Sequence, residues 1–81
     1  MEPAVLFFYE ENNKKCEEVL TILENLNARI VPADVYDDMN LPLIDSWNVC
    51  CVPTLVFWPI YEELHDPISE EDIREMLRKN K

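Results

Sequence analysis

The sequence predicts a small α/β domain with the element order β-α-β-α-β-β-α and a four-stranded mixed sheet. Three runs rich in β-branched and aromatic residues are separated by stretches with apolar residues at helical spacing. A capping residue stands in front of each of these stretches, which marks them as helices. An all-helical chain cannot accommodate three such runs. With 81 residues, the chain is long enough for one domain, predicted over residues 1–81.

The first strand and the first helix are predicted in the amino-terminal third of the chain. Residues 4–9 form a continuous apolar run, which is typical of a strand buried on both faces. Asn12 and Asn13 follow as N-cap residues. A helix of about 14 residues is then predicted from the apolar spacing. Its apolar positions are Cys16, Val19, Leu20, Ile22, Leu23 and Leu26.

The second strand and a short helix are predicted next. Residues 29–36 read as a strand interrupted by Pro32, which donates no ladder hydrogen bond and therefore belongs at a sheet edge or a bulge. Asp37 and Asp38 offer caps for a short helix that ends at Trp47.

The last part of the chain predicts two strands and a helix. Residues 54–58 form an apolar strand, and residues 61–65 form a short returning strand. Ser69 caps a final helix, with Asp72 at the third position in the acidic reciprocal role. The buried stripe of that helix consists of Ile73, Met76 and Leu77.

The charge of the chain bears on its partners. Seventeen Asp and Glu against seven Lys and Arg give a formal charge of −10. A field of this sign repels phosphate backbones and anionic lipid headgroups, so neither nucleic acid nor a membrane surface is expected as a partner. Basic protein partners are favoured, and a homodimer is an open alternative.

The missing and rare residue types exclude several classes of protein. The chain has no glycine, which excludes Gly-rich phosphate loops and dinucleotide fingerprints, and no cofactor is expected. The longest apolar run, residues 4–9, is too short to span a bilayer. Three cysteines without an export signal indicate a reducing, cytoplasmic compartment with free thiols.

Two segments carry a more specific pattern. The first is a strand ending in Phe8-Tyr9, followed by an acidic stretch and by Asn-Lys-Lys-Cys at 13–16. The second is Val-Cys-Cys-Val-Pro-Thr at 49–54, which leads into an apolar strand. Together these segments resemble the thioredoxin family over nearly the whole chain. The additional amino-terminal strand and helix of full-length thioredoxins are missing, so the chain resembles the minimal core shared with glutaredoxins.

The resemblance implies a peptide-binding groove beside a cis proline. It implies that Val52-Pro53 is a cis peptide bond, in a loop lying beside the start of the first helix. In relatives, the backbone before this proline pairs with a bound peptide as an added strand. The substrate-binding or peptide-binding residues expected from this are Asn13, Val52, Pro53 and Thr54, with Tyr9 bordering the groove. The alternative is a trans proline at the first position of a strand.

The redox motif of the family is altered in this chain. Its two cysteines correspond here to Asn13 and Cys16, so the nucleophilic cysteine is missing. Thiol–disulfide exchange requires a thiolate, which an asparagine amide cannot supply. The aspartate that many thioredoxins bury beneath the motif is replaced by Phe7. Standard dithiol oxidoreductase activity is therefore not expected, and whether the chain is an enzyme stays open.

Cys16 is subject to two opposing effects at the start of its helix. The helix amino terminus and the cations of Lys14 and Lys15 favour the thiolate and lower the thiol pKa. Burial disfavours the charged form and raises the pKa. Two interpretations follow: a small apolar-like thiol in the core, or a reactive or resolving thiol.

Cys50 and Cys51 precede the proline, so the resemblance brings all three cysteines into one neighbourhood. Side chains alternate along an extended segment, so one of the pair is expected to face the site, with Cys51 the more exposed. Certain thioredoxins have a cysteine at this position, which resembles a site for intermolecular disulfides. Cys51 is predicted to react with a thiol probe several-fold faster than an ordinary thiol. The alternative is two incidental small residues at a strand entrance.

Disulfides and metal sites within the chain are constrained by geometry. A bond between Cys16 and Cys51 requires Cα atoms within about 7 Å of each other. A bond between Cys50 and Cys51 requires a strained eight-membered ring. No metal site is expected, because the cysteine spacings match no zinc pattern and His65 is placed on a distant strand.

Two functions follow from these residues. The first is a thioredoxin-like protein that takes part in thiol–disulfide or mixed-disulfide chemistry through its candidate catalytic residues Cys51, Cys16 or both. The second is a non-catalytic thioredoxin-fold module whose groove beside Pro53 binds a protein or forms a dimer.

Overall fold

The predicted order of elements is confirmed by the computed structural model, which describes residues 2–80; Met1 and Lys81, the ends of the predicted domain, lie outside the described residues. The strands are β1 (Ala4–Tyr9), β2 (Ile30–Asp34), β3 (Thr54–Trp58) and β4 (Glu62–His65). The α-helices are α1 (Lys14–Asn25), α2 (Leu41–Trp47) and α3 (Glu70–Lys79), and a short 3₁₀ helix (Asp38–Asn40) precedes α2.

The four strands form one mixed sheet in the order β2-β1-β3-β4. β1 pairs in parallel with β2 and antiparallel with β3, and β4 pairs antiparallel with β3. Pro32 lies on β2, opposite Phe7 of β1. Since β2 is an edge strand, the prediction of an edge position for this proline is confirmed.

Helices α1 and α3 start at the predicted caps, whereas the predicted cap Asp37 accepts a hydrogen bond from the Met39 amide at 3.0 Å and caps the 3₁₀ helix, and α2 begins without a side-chain cap. The Asn13 side chain accepts a hydrogen bond from the Cys16 amide at 3.1 Å, and the Ser69 side chain accepts one from the Asp72 amide at 3.1 Å. Helix α1 ends at Asn25, earlier than predicted, because the chain turns at Asn27 with a φ of 57°. Asparagine tolerates this left-handed conformation, which is usually adopted by a glycine where a helix ends.

The core has two layers, one on each face of the sheet, because neighbouring residues of a strand point to opposite faces. Helices α1 and α3 cover the face that contains Phe7 and Phe57. Helix α2 covers the face that contains Phe8 and Val56. Both phenylalanines of β1 are buried, which confirms that this strand is enclosed on both faces. Within the described part of the chain, no helix is long and apolar enough to cross a membrane.

Candidate functional site

The loop between α2 and β3 forms the centre of the candidate site. Helix α2 ends at Asn48, which adopts a left-handed conformation with φ 50° and ψ 46°. The chain then bends through residues 51–53 before β3 begins at Thr54. The Val52–Pro53 peptide bond is cis, the isomer that the resemblance implies. Pro53 is fully buried, so the loop is anchored in the protein while Cys50 and Cys51 are exposed beside it.

This loop lies at the same end of the sheet as the start of α1. Thr54 is paired with Phe8 near the carboxyl end of β1, and α1 follows after a short turn. Val52 packs against the core cluster that contains Cys16. The carboxylate of Asp66 acts on the thiols of both Cys16 and Cys51. The three cysteines therefore share one neighbourhood.

Asn13 has its amide group committed to local structure. Its Oδ1 accepts a hydrogen bond from the Cys16 amide at 3.1 Å, and its Nδ2 donates to Oε1 of Glu10 at 2.8 Å. The side chain therefore fixes the entry into α1, a structural role that an asparagine amide can fill.

Cys16 is a core thiol, with 3% of its surface exposed. Burial raises the pKa of its thiol, a hydrogen bond from the Glu10 backbone lowers it, and the carboxylates of Glu10, Asp66 and Glu17 raise it further. The predicted lowering by the lysines is not seen, since burial dominates and Lys15 is paired with Asp66 at 3.1 Å. Of the two interpretations, the structure favours the buried core thiol.

Cys50 and Cys51 are both exposed, and both are free thiols. They line one hollow of 310 Å³, here called the Cys51 groove. Its walls include Glu10, Tyr36, Leu41, Ile44, Val49 and Val52. The expectation that one of the two thiols points away from the site is wrong. The segment bends at 51–53 rather than continuing as a strand, so the alternation of an extended chain does not apply.

The Cys51 thiol is exposed, but its pKa is raised. Partial burial raises the pKa, and so does the hydrogen bond with the neighbouring Cys50 thiol, while the Thr54 hydroxyl lowers it and Asp66 raises it. A raised pKa reduces the thiolate fraction at neutral pH. This direction opposes the expectation that Cys51 reacts faster than an ordinary thiol.

Thr54 and His65 form a polar chain beneath the loop that sequence reasoning missed. The buried Thr54 hydroxyl donates to the Cys51 carbonyl oxygen at 2.8 Å, and His65 Nδ1 lies 3.3 Å from the same hydroxyl. His65 Nε2 lies 3.2 Å from Oε1 of Glu63. The prediction that His65 is distant is wrong, because the β3–β4 pairing places it directly opposite Thr54. The short connection between these two strands is the sequence signal that could have shown this.

The predicted groove residue Tyr9 lies on the other face of the sheet. Its ring stacks on Phe7 with 5.4 Å between centroids, and it packs against the core beneath α1. The Cys51 groove is on the α2 side. The prediction that Tyr9 borders the groove is therefore wrong, since the side chains of Phe8 and Tyr9 alternate across the strand.

An exposed apolar surface adjoins the groove and was also missed. Tyr36 is 77% exposed, Met39 84% and Leu41 50%, and Leu43 is exposed as well. These four residues, here called the Tyr36–Leu43 patch, surround the 3₁₀ helix and the start of α2. Large exposed apolar side chains that are grouped together mark interaction surfaces.

The side chains of residues 2–80 show no group of three or more His, Cys, Asp or Glu placed to hold a metal ion. The three thiols therefore share a neighbourhood without forming the donor set that zinc requires.

Comparison with known proteins identifies the fold. No family model and no curated protein matches the sequence. Among solved structures, a mutant thioredoxin from Halobacterium salinarum is similar at 24% identity and a TM-score of 0.79, over 96% of this chain and 74% of that one. An uncharacterized thioredoxin-like protein from Clostridium perfringens is similar at 18% identity and a TM-score of 0.82, over 96% of this chain and 70% of that one. Thioredoxin 1 from Thermosipho africanus is similar at 17% identity and a TM-score of 0.71, over 94% and 91%. The predicted thioredoxin-like fold is confirmed.

Proposed function

We propose that this thioredoxin-fold chain takes part in thiol–disulfide chemistry through Cys51, whose thiolate attacks a disulfide of a target protein, forms a mixed disulfide with one sulfur and releases the other as a thiol. The observation that carries the proposal is the exposure of Cys51 beside the cis Val52–Pro53 bond, in the wall of a largely apolar groove.

The other two candidate positions are assigned supporting roles. Cys16 is buried and holds its proton, so it acts as a core residue rather than as a nucleophile. Asn13 caps α1 and has no thiol. The chemistry proposed is therefore that of a single thiol, without the rapid dithiol turnover of a Cys-x-x-Cys motif.

The raised pKa of Cys51 favours a long-lived mixed disulfide. A thiol with a raised pKa is a slow nucleophile at neutral pH because little of it is thiolate. It is also a poor leaving group, so a disulfide at Cys51 is released slowly once formed. These two effects suit capture of a target better than fast exchange.

The loop supplies the binding surface in this proposal. The Val52 backbone pairs with an extended target segment, as the resemblance implies, and the buried Pro53 holds the loop in place. Thr54 fixes the Cys51 carbonyl through its 2.8 Å hydrogen bond and so sets the direction of the loop.

The proposed partner is a basic protein in a reducing, cytoplasmic compartment. The formal charge of −10 favours positively charged partners. The three free cysteines suit a compartment that keeps thiols reduced.

A second candidate function is non-catalytic binding of a protein, or dimerisation, through the Tyr36–Leu43 patch. The observation that favours it is the exposure of Met39 and Tyr36 beside the groove. Binding at this patch requires no thiol. The two functions therefore differ in whether Cys51 is needed.

The test is to incubate the reduced protein with a basic, apolar peptide activated as a mixed disulfide, and to map the adduct by peptide mass spectrometry. The proposal predicts a stable adduct at Cys51 that is lost in Cys51→Ser and kept in the matched control Cys16→Ser. An adduct formed equally well at Cys50 or Cys16 would contradict it.

The same experiment separates the second candidate. If Cys51→Ser still binds the reduced form of the peptide with unchanged affinity and Met39→Glu does not, the patch is the binding surface and the thiol is not required. Size-exclusion chromatography of the same variants distinguishes binding of a partner from dimerisation.

A further inference from the structure

We propose that Cys50 and Cys51 together form a chelating site for trivalent arsenic, which bonds to both sulfur atoms. This inference goes beyond the proposed function, because it requires both thiols and no protein target. The site consists of two adjacent residues that both line the Cys51 groove.

Both thiols are available to a ligand that approaches from solvent. Each residue is exposed, and each thiol is free. The two residues are adjacent in the chain and line the same hollow, so one ligand can meet both side chains. Cys16 is buried beneath the loop and is not part of this pair.

The ring geometry of two adjacent cysteines suits a bridging atom better than a direct bond. A disulfide brings the sulfurs to about 2.05 Å and would close an eight-membered ring between adjacent residues. A bridging atom enlarges the ring by one member and leaves the sulfurs apart. With bonds to sulfur as long as those of zinc, about 2.3 Å, a bent bridge spans roughly 3.5 Å, whereas a linear one spans roughly 4.6 Å. The bent bridge is the shorter of the two, and two adjacent side chains that line one hollow can close on it.

The number of donors also selects the ligand. Zinc in structural sites requires four protein ligands, and the described side chains provide no group of three. Thiolates prefer soft partners. Trivalent arsenic is soft, adopts a bent geometry at two sulfurs, and fills its third position with a group that it already carries.

The surroundings of the pair suit a neutral arsenical with an apolar substituent. The groove has a volume of 310 Å³ and includes the apolar side chains of Leu41, Ile44 and Val49. Glu10 in the groove and Asp66 beside Cys51 are acidic, which disfavours anionic thiol reagents. A neutral aryl arsenoxide is not repelled and can place its ring against the apolar wall.

The reaction balances without an oxidant or a reductant. An arsenoxide condenses with the two thiols: both S–H bonds and the arsenic–oxygen bond break, and two arsenic–sulfur bonds form. The two protons leave with the oxygen as one water molecule. Arsenic stays trivalent, and neither sulfur is oxidised.

The experiment uses the full reduced chain and phenylarsine oxide, with intact mass spectrometry as the readout. One equivalent of the reagent is added, the protein is challenged with excess glutathione, and the fraction that keeps the adduct is measured. Wild type and the control Cys16→Ser are expected to keep one phenylarsenic group. Because the second sulfur binds intramolecularly, Cys50→Ser and Cys51→Ser are expected to retain the adduct at least about a hundredfold less well.

Circular dichroism of each variant establishes that it is folded before the challenge. Retention in Cys50→Ser equal to that of wild type would overturn the site, as would loss of the adduct from wild type at the rate of the single variants. The Cys50→Ser variant also separates this inference from the proposed function, since the mixed disulfide requires Cys51 alone.

Discussion

The carboxylate of Asp66 pairs with the ammonium group of Lys15, with 3.1 Å between Oδ2 and Nζ, and also acts on the thiols of Cys16 and Cys51. This single carboxylate connects the segment after β4 with the start of α1 and with the cis-proline loop. Its negative charge disfavours both thiolates, although it is paired with Lys15, whose side chain is largely exposed.

Removal of this charge is expected to make Cys51 more reactive. In Asp66→Asn the repulsion between the carboxylate and the thiolate is lost, so the pKa of Cys51 falls. Because exposed charge pairs contribute no more than about 1 kcal/mol, the alkylation rate at pH 7 should rise by less than about fivefold. Stopped-flow labelling across pH measures this change. The matched variant Lys15→Gln leaves Asp66 uncompensated and should slow the reaction; acceleration in both variants would exclude the electrostatic explanation.

Replacement of Cys50 by alanine is also expected to accelerate Cys51. Burial and the hydrogen bond with the Cys50 thiol are the largest causes of the raised pKa of Cys51. Cys50→Ala removes the second cause and part of the first, so more of the Cys51 thiol is ionised at neutral pH. The pH dependence of iodoacetamide labelling at Cys51 checks this. An unchanged or higher pKa in the variant would mean that the two thiols do not interact.

Thr54 is expected to stabilise the loop and to assist Cys51 through its hydroxyl group. In Thr54→Val the Cys51 carbonyl loses its 2.8 Å hydrogen bond, which should lower the free energy of unfolding by about 1–2 kcal/mol. The pKa of Cys51 should rise, because the hydroxyl lowers it in the wild type. Urea denaturation and thiol labelling measure the two effects. Thr54→Ser keeps the hydroxyl and should preserve the pKa of Cys51; a rise equal to that in Thr54→Val would contradict this role.

Cys16 is expected to make the stability of the fold depend on pH in the alkaline range. Its thiol pKa is higher in the folded state, chiefly because of burial, so the folded chain holds the thiol proton more tightly than the unfolded chain does. This stabilisation is complete below the unfolded pKa of about 8.5 and is lost as the pH rises through the folded pKa. Urea titrations between neutral and alkaline pH should show this decline in the free energy of unfolding of the Cys51→Ala variant. The double variant, in which Cys16 is also replaced by alanine, should show a smaller decline. Equal slopes in the two proteins would contradict the assignment.

Much of the fold could be predicted because local chemistry and packing agree. Asn13 and Ser69 are good N-caps by composition, and both cap helices in the structure. Thr54–Trp58 is a largely apolar run between Pro53 and Pro59, and strand β3 has the same bounds. Pro32 lies on an edge strand because it has no amide to donate to a neighbour.

The candidate site could be predicted only in part, because its details depend on how deeply each side chain is buried and on contacts between residues that are far apart in the sequence. The position of Cys16 after two lysines suggested a lowered pKa, but its burial decides the direction and is visible only in the packed structure. The alternation expected for Cys50 and Cys51 requires an extended segment, and the bend at 51–53 removes it. His65 reaches Thr54 through the register of β3 and β4, which can be predicted only if the short connection between these strands is recognised as a hairpin.

The central claim is that the cis-proline loop presents Cys51 to solvent beside the start of α1 while Cys16 is sealed beneath it. Residue-resolved alkylation of the native, reduced protein tests this most directly, with peptide mass spectrometry at each time point. We expect Cys50 and Cys51 to be labelled under native conditions and Cys16 to be labelled only when urea unfolds the chain. Labelling of Cys16 in the native protein as fast as that of Cys51 would contradict the account.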